Sequence, residues 1–362
     1  MKIVHLIESN RVSYGGPAFG LARIVDNYPS DVEVTIIVTG NTFLGPEVEI
    51  NKNVCILKSQ NRSSILSHLI KGSYDLAIVH GVWRSELFLV GLVSIFKKMR
   101  IFIFTHGMLD PFFLKPQQPK WFKKWLFHKL LQGPILKLYK HVLCTSEVER
   151  QKLVSTNSKI KEKFIDVGYG INESEIVFAD NFEHIPSHDY IVFMSRLHEK
   201  KGIEILVKAY GEVKDPKFDL VICGAENKYY EETIEPLINK NENRDRIHFL
   251  GQQTGRNKWS ILSQARYMVL PSFQENFGVV IAEALAVGTP VILGKDLDIA
   301  EIVRSEKCGY LVSPNAAEIT NLLVALNWDE MAIPSAKTCK TVFQKHFHMS
   351  RVTKKILELA KL

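Results

Sequence analysis

The feature that most constrains this chain is a recurrence of short, continuously apolar runs rich in Val and Ile, separated by helical intervals. In the first half they are KIVHLI (2–7), VEVTIIVT (32–39), NVCILK (53–58), YDLAIVHG (74–81), RIFIFTHG (100–107) and HVLCTS (141–146). In the second half they are YIVFMSR (190–196), FDLVICGA (218–225), RIHFLG (246–251), YMVLPS (267–272) and TPVILGK (289–295). Apolar character that is continuous rather than alternating implies strands buried on both faces, hence parallel sheets. Intervals such as GIEILVKAYGEV (202–213) fit the right-handed crossovers that parallel strands require. The expected class is α/β, with doubly wound parallel sheets.

The 362 residues suggest two domains at roughly 150 residues each. GYGINESEIVFADNFEHIPSHD is polar, irregular and holds Pro186, as a linker would. The expected organisation is an N-terminal domain over 1–170, a linker over about 171–187 and a C-terminal domain over 188–344. A last amphipathic helix, about 345–362, is placed to pack back on the first domain.

Several classes are disfavoured. The N-terminus MKIVHLIESN alternates like a strand and lacks the apolar stretch and cleavage site of a signal peptide. The longest uncharged apolar run, Leu87 to Phe96, is half of the roughly 20 residues a membrane span needs. A soluble, cytoplasmic protein is expected. Cys55, Cys144, Cys223, Cys308 and Cys339 form no CxxC pair, so they read as small buried side chains in a reducing compartment. No ligand cluster of metal spacing is present, so neither a metal nor another cofactor is expected.

The net charge of +7 is unevenly spread. Residues 1–170 hold 23 Lys+Arg and 13 Asp+Glu, whereas residues 171–362 hold 23 and 26. A basic half implies an anionic partner. From Pro111 to Ser146 there is no acid, and Lys115, Lys120, Lys123, Lys124, Lys129, Lys137 and Lys140 interleave with Trp121, Phe122, Trp125, Phe127 and Leu131. A solvated helix face explains the lysines alone. A basic amphipathic surface toward anionic lipid or a lipid-diphosphate acceptor explains lysine and aromatic residues together. Nucleic acid is not expected, because no known binding motif accompanies the charge.

Ligands of open α/β sheets bind beyond the carboxyl ends of strands. PSFQENFGVVIAEALAVGTPVI (271–292) begins at such an end. Glu283 is the sole charge in its helical part, and a buried carboxylate must find donors. A core ion pair and a ligand hydroxyl pair both satisfy it. Glu275 is either an N-cap or a ligand group. The amides of Asn276, Phe277, Gly278 and Val279 form a helix N-terminus suited to a diphosphate. Eight residues of helix rise about 12 Å, so the two carboxylates suit opposite ends of an elongated ligand.

Three further places stand out. Arg196 and Lys201 flank a strand–helix loop in FMSRLHEKKG, as solvated cations or as anion ligands. Gly15-Gly16-Pro17-Ala18 follows the first strand, as an ordinary turn or a loop that a phosphate approaches. It is a poor dinucleotide fingerprint, because GxGxxG is absent and the second strand ends in VTIIVTG without a ribose-binding acid. His80, with Trp83 close by, and His106 lie at neighbouring strand ends, as structural histidines or as groups facing a ligand.

The run Glu275, Phe277, Gly278, Glu283, Ala284, Ala286, Gly288, Pro290 and Val291 resembles the retaining glycosyltransferases of family 4, which have the GT-B fold. Arg196, Leu197, Lys201 and Gly202 match the same family's R-L-x-x-x-K-G pattern. The resemblance spans nearly the whole chain and is strongest over 190–312. It implies two Rossmann-like domains facing a cleft, and transfer of a hexose from a nucleotide-diphosphate donor, UDP-glucose first, with retention. It places Arg196 and Lys201 on the diphosphate, Glu275 on the donor sugar, Glu283 on the ribose, and Gly15, Gly16 and Gly224 beside the donor. His106 borders donor sugar and acceptor, and His80, Trp83, Lys120, Trp121, Lys123, Lys124 and Trp125 lie on the acceptor or membrane side. The acceptor is expected to be a saccharide or lipid-linked saccharide in bacterial polysaccharide assembly, with peripheral contact at the inner membrane face. Two departures stand against the pattern. Tyr169 and Asn172 occupy DVGYGIN, where the family has P-N-G-I/V-D, and Asp296-Leu297-Asp298 is formally a DxD but reads as a loop. A nucleotide-sugar 2-epimerase of the same fold and a non-catalytic sugar-nucleotide binder remain alternatives.

Overall fold

The computed structural model describes residues 1–40, 44–59, 61–82, 86–109, 122, 126, 133–180, 186, 189–275, 277–328 and 331–361. It divides into two compact units, Met1–Gly170 with Met349–Leu362, and Ile171–His348.

The first unit holds seven strands, β1 (Lys2–Ile7), β2 (Glu33–Val38), β3 (Cys55–Lys58), β4 (Leu76–His80), β5 (Arg100–Phe104), β6 (His141–Cys144) and β7 (Phe164–Asp166). They form one sheet in the order β3-β2-β1-β4-β5-β6-β7, and every pairing is parallel. The second unit holds β8 (Tyr190–Met194), β9 (Asp219–Cys223), β10 (Ile247–Phe249), β11 (Tyr267–Leu270), β12 (Val291–Gly294) and β13 (Gly309–Val312). Their order is β10-β9-β8-β11-β12-β13, again all parallel. β4, β8, β9, β11 and β12 are buried at every residue, which is why they read as unbroken apolar runs. Each sheet reverses its strand order once, between β1 and β4 in the first unit and between β8 and β11 in the second. Such a switch point leaves a crevice beyond the strands' carboxyl ends.

Two strands escaped the sequence reading. β7 is three residues long and β13 begins with a glycine, and both lie at sheet edges, where continuous burial is not required. β3 is also an edge strand and mostly exposed. Cys55 on it is therefore exposed, against the expectation of burial, while the other four cysteines are buried and all five are free thiols.

The expected linker needs correction. Ile171 is fully buried and bridges His348 within the second unit. Asn172 caps the turn Glu173–Glu175, and the Ala179 amide donates to Ser260 Oγ at 2.9 Å. Residues 171–180 thus belong to the second unit, because Ile171 and Ile176 join its core. The helix Met349–Lys361 packs on the helix Gly16–Asp26 of the first unit, where Thr353 Oγ1 donates to the Ile24 carbonyl at 3.4 Å. Among the described residues no helix is long and apolar enough to cross a membrane.

Candidate active site

In the second unit, Arg196, Lys201, Glu275, Phe277 and Gly278 lie on the loops after β8 and β11, the two strands that flank its switch point. These loops are held together closely. The Phe273 amide donates to the Lys200 carbonyl at 2.9 Å. Gly202 has φ +73, and a Cβ there would lie 2.3 Å from the Pro271 carbonyl oxygen, so only glycine fits. That approach brings Lys201 Nζ against Glu275 Oε2 in an ion pair. Both side chains are largely withdrawn from solvent, at 11% and 18% exposure. Arg196, on the same loop as Lys201, is exposed.

The helix Val279–Val287 starts at Gly278, which has φ +67. Its free amides therefore begin at Val279, three residues after Asn276, where the sequence reading began them. No side chain caps it, so Glu275 is not an N-cap. Phe277, half-buried, packs edge-on against Phe347, with centroids 5.7 Å apart. Asn276 lies outside the described residues. Gly224 closes β9, where a Cβ would meet the Ser195 carbonyl at 2.6 Å, so its absence of a side chain lets the loop after β8 pass.

Glu283 is 6% exposed. Lys258, on the helix Gly255–Gln264, places Nζ 2.6 Å from its Oε1 and 4.2 Å from the Trp259 ring centre. Of the two readings left open by sequence, a core ion pair is thus present. Lys258 is a partner that sequence reasoning missed, because the two residues are joined only when adjacent helices pack.

In the first unit, Gly15 caps the helix Gly16–Asp26 with φ +73. A Cβ at Gly15 or Gly16 would meet no atom within 4 Å, so open space lies beside this loop. Tyr169, the departure from the family pattern, supports it: its hydroxyl donates to the Gly16 carbonyl at 3.0 Å.

His80 ends β4 and His106 follows β5. His80 Nδ1 and His106 Nε2 share a hydrogen bond of 2.8 Å. On its other side, His80 Nε2 shares one of 2.9 Å with Nδ1 of His5, which lies in the middle of β1 across the switch point. His5 Nε2 lies 3.2 Å from the Tyr28 hydroxyl. Burial pushes His5 and His106 down to about 3 and His80 well below its ordinary value, so all three rings are neutral at pH 7. The sequence signal for His5 was a polar residue inside a fully apolar strand, which must find a partner.

The loop bearing His106 is unusual. His106 and Gly107 have φ 49 and 77, and the Met108 amide donates to the Thr105 carbonyl at 2.9 Å, as in a type I′ turn. Glu149, another residue the sequence reading missed, clamps it. One carboxylate oxygen accepts from Thr105 Oγ1 at 2.6 Å and the Gly107 amide at 3.2 Å. The other accepts from the amide and hydroxyl of Thr145 at 2.7 and 2.8 Å. Burial raises the Glu149 carboxyl above its ordinary value, against these donors. Trp83, Lys120, Trp121, Lys123, Lys124 and Trp125 lie outside the described residues. Asp296 to Asp298 form a turn after β12, and among the described residues no group of His, Cys, Asp or Glu could hold a metal ion.

Comparison with known proteins adds a family match over part of the chain, and a fold. Residues 179–329 match the model for glycosyl transferases group 1. The chain is 27% identical over 221 residues to an uncharacterized glycosyltransferase of Methanocaldococcus jannaschii, covering 57% of this chain and 56% of that protein. The chain spans about half the length, or less, of the first curated relatives it matches. Among solved structures, sucrose-phosphate synthase of Thermosynechococcus elongatus aligns with a TM-score of 0.76 at 20% identity, over 100% of this chain and 98% of that one. Anabaena HepE in complex with UDP and glucose aligns with a TM-score of 0.72 at 17% identity, over 100% of both chains.

Proposed function

We infer, from a chain of GT-B fold whose residues 179–329 match the model for glycosyl transferases group 1, that it is a glycosyltransferase acting on a nucleotide-diphosphate sugar. The observation that carries this is the Lys201–Glu275 pair beside the switch point of the second unit. It sets a cation for a diphosphate next to a carboxylate for sugar hydroxyls.

In this reading Arg196 and Lys201 neutralise the leaving diphosphate as charge develops on it. The amides at Val279 and beyond add a helix N-terminus to that field. Glu275 holds hydroxyls of the donor sugar and Glu283 those of the ribose. Gly15, Gly16 and His106 keep the roles toward donor and acceptor that the resemblance implies. Transfer proceeds with retention, the diphosphate taking the acceptor proton as it leaves, so no protein nucleophile is needed. The donor is UDP-glucose or a related UDP-hexose; HepE, which shares the fold, has been solved in complex with UDP and glucose. The acceptor is a saccharide or lipid-linked saccharide of bacterial polysaccharide assembly, on the cytoplasmic side of the inner membrane. Exposed Leu92, Ile95, Phe96 and Leu138 give the first unit apolar surface, which supports the reading of a peripheral membrane contact.

The test is a panel of nucleotide sugars and saccharide acceptors, with released nucleoside diphosphate as the readout. Release that requires acceptor and persists in excess EDTA supports the reading. Release without any acceptor favours the 2-epimerase alternative. Full loss in EDTA, restored by magnesium or manganese, would sink the metal-free mechanism.

A further inference from the structure

Tyr28, His5, His80 and His106 form one continuous hydrogen-bonded chain within the first unit, with steps of 3.2, 2.9 and 2.8 Å. Tyr28, His5 and His80 are 5%, 0% and 1% exposed. A neutral imidazole has one N–H and one lone pair. Two rings facing each other at these distances need one donor and one acceptor, and a mismatch sets two hydrogens or two lone pairs face to face in a dry interior. The chain therefore has only two fully paired states. In one, every ring carries its proton on Nε2, His5 donates to Tyr28, and His106 Nδ1 is left as an acceptor. In the other, Tyr28 donates to His5, every ring carries its proton on Nδ1, and His106 Nδ1 is left as a donor.

The buried end chooses between them. His5 is the one partner of the Tyr28 hydroxyl among the described residues, so in the first state the phenol hydrogen would be buried with no acceptor. That is the costly error in a polar network. In the second state every buried hydrogen is used. At the other end, His106 Nδ1 has no partner among the described residues, and His106 is only partly buried.

We propose that Tyr28 fixes the direction of this relay, so that His106 presents a permanent N–H donor at Nδ1 to an oxygen acceptor on a bound ligand. His5, His80 and Tyr28 are then positioning residues acting through His106. His106 is a hydrogen-bond donor rather than a base. That the acceptor is a sugar hydroxyl oxygen rests on the proposed function; the relay and its direction do not.

The test is nitrogen NMR of the full chain labelled with ¹⁵N-histidine, in which two-bond proton couplings show which ring nitrogen is protonated. Signals are assigned from single His→Gln variants. The expected result at pH 7 is Nδ1–H on His5, His80 and His106. Nε2–H on any of the three in the wild type overturns the proposal, whether or not any sugar nucleotide is turned over. Tyr28→Phe removes the directing donor, and His106 is expected to shift to a mixture of tautomers. An unchanged pure Nδ1–H signal in that variant would remove Tyr28 from the mechanism. Should Tyr28→Phe not fold, the wild-type tautomers still decide.

Discussion

Lys201 Nζ and Glu275 form an ion pair across the loops that follow β8 and β11, with both side chains mostly shielded from water. Before any ligand arrives, the cation assigned to the diphosphate already neutralises the carboxylate assigned to the sugar. Donor binding must therefore redistribute this pair.

That gives two opposed outcomes. Glu275→Gln releases Lys201, so affinity for UDP alone holds or rises, while turnover falls by about 100-fold through loss of one aligned active-site group. Lys201→Met weakens UDP binding by about 1.5–3 kcal/mol, the worth of a charge-assisted hydrogen bond. Calorimetric titration with UDP beside a turnover assay reads both. Equal loss of UDP affinity in the two variants would contradict the division of roles.

Glu283 and Lys258 make the second test. Glu283→Gln leaves the Lys258 ammonium, 19% exposed, without its counter-charge, and should cost about 2 kcal/mol of stability. Combining it with Lys258→Met should recover part of that loss, since residues in contact are not additive. If Glu283 also holds the ribose, the folded Glu283→Gln protein binds UDP more weakly by about 1.5–3 kcal/mol. Unchanged affinity would leave Glu283 as a core ion pair alone.

Acid should unfold the first unit through its buried histidines. His5 titrates near 6.5 in the unfolded chain and at about 3 in the folded one, because burial disfavours its charged form. Between those values the unfolded state binds more protons, so stability is lost as pH falls. From pH 7 to pH 5 this one ring contributes a loss of about 2 kcal/mol. Urea unfolding at the two pH values should show that slope, and His5→Phe should make it shallower by that amount. Equal slopes in wild type and variant would contradict the neutral, buried state of His5.

Membrane contact is tested by flotation with anionic vesicles. Each lysine near such a surface contributes about 1 kcal/mol, and binding should fall steeply as the Debye length shrinks from about 30 Å at 0.01 M salt to about 8 Å at 0.15 M. Replacing Lys120, Lys123 and Lys124 with Glu should abolish it, while turnover of a small water-soluble acceptor changes little. A wild-type protein that never floats would leave these lysines as a solvated face.

The sequence by itself determined the class of fold and the segments that carry the candidate site. Unbroken apolar runs such as YIVFM can be satisfied only by strands covered on both faces, and the glycines at 202 and 278 mark backbone positions with positive φ. Edge strands β7 and β13 were missed because an edge needs no such covering. The tertiary structure decided the partners. Lys201 with Glu275, Lys258 with Glu283, and the steps of the chain that links Tyr28 to His106 join residues 74, 25 and up to 75 positions apart. Local periodicity reports which face of an element is buried, not which polar group of another element will meet it there. The demand that a buried charge be paired was legible at Glu283, and His5 was passed over; the pairing itself is fixed by strand order and helix packing.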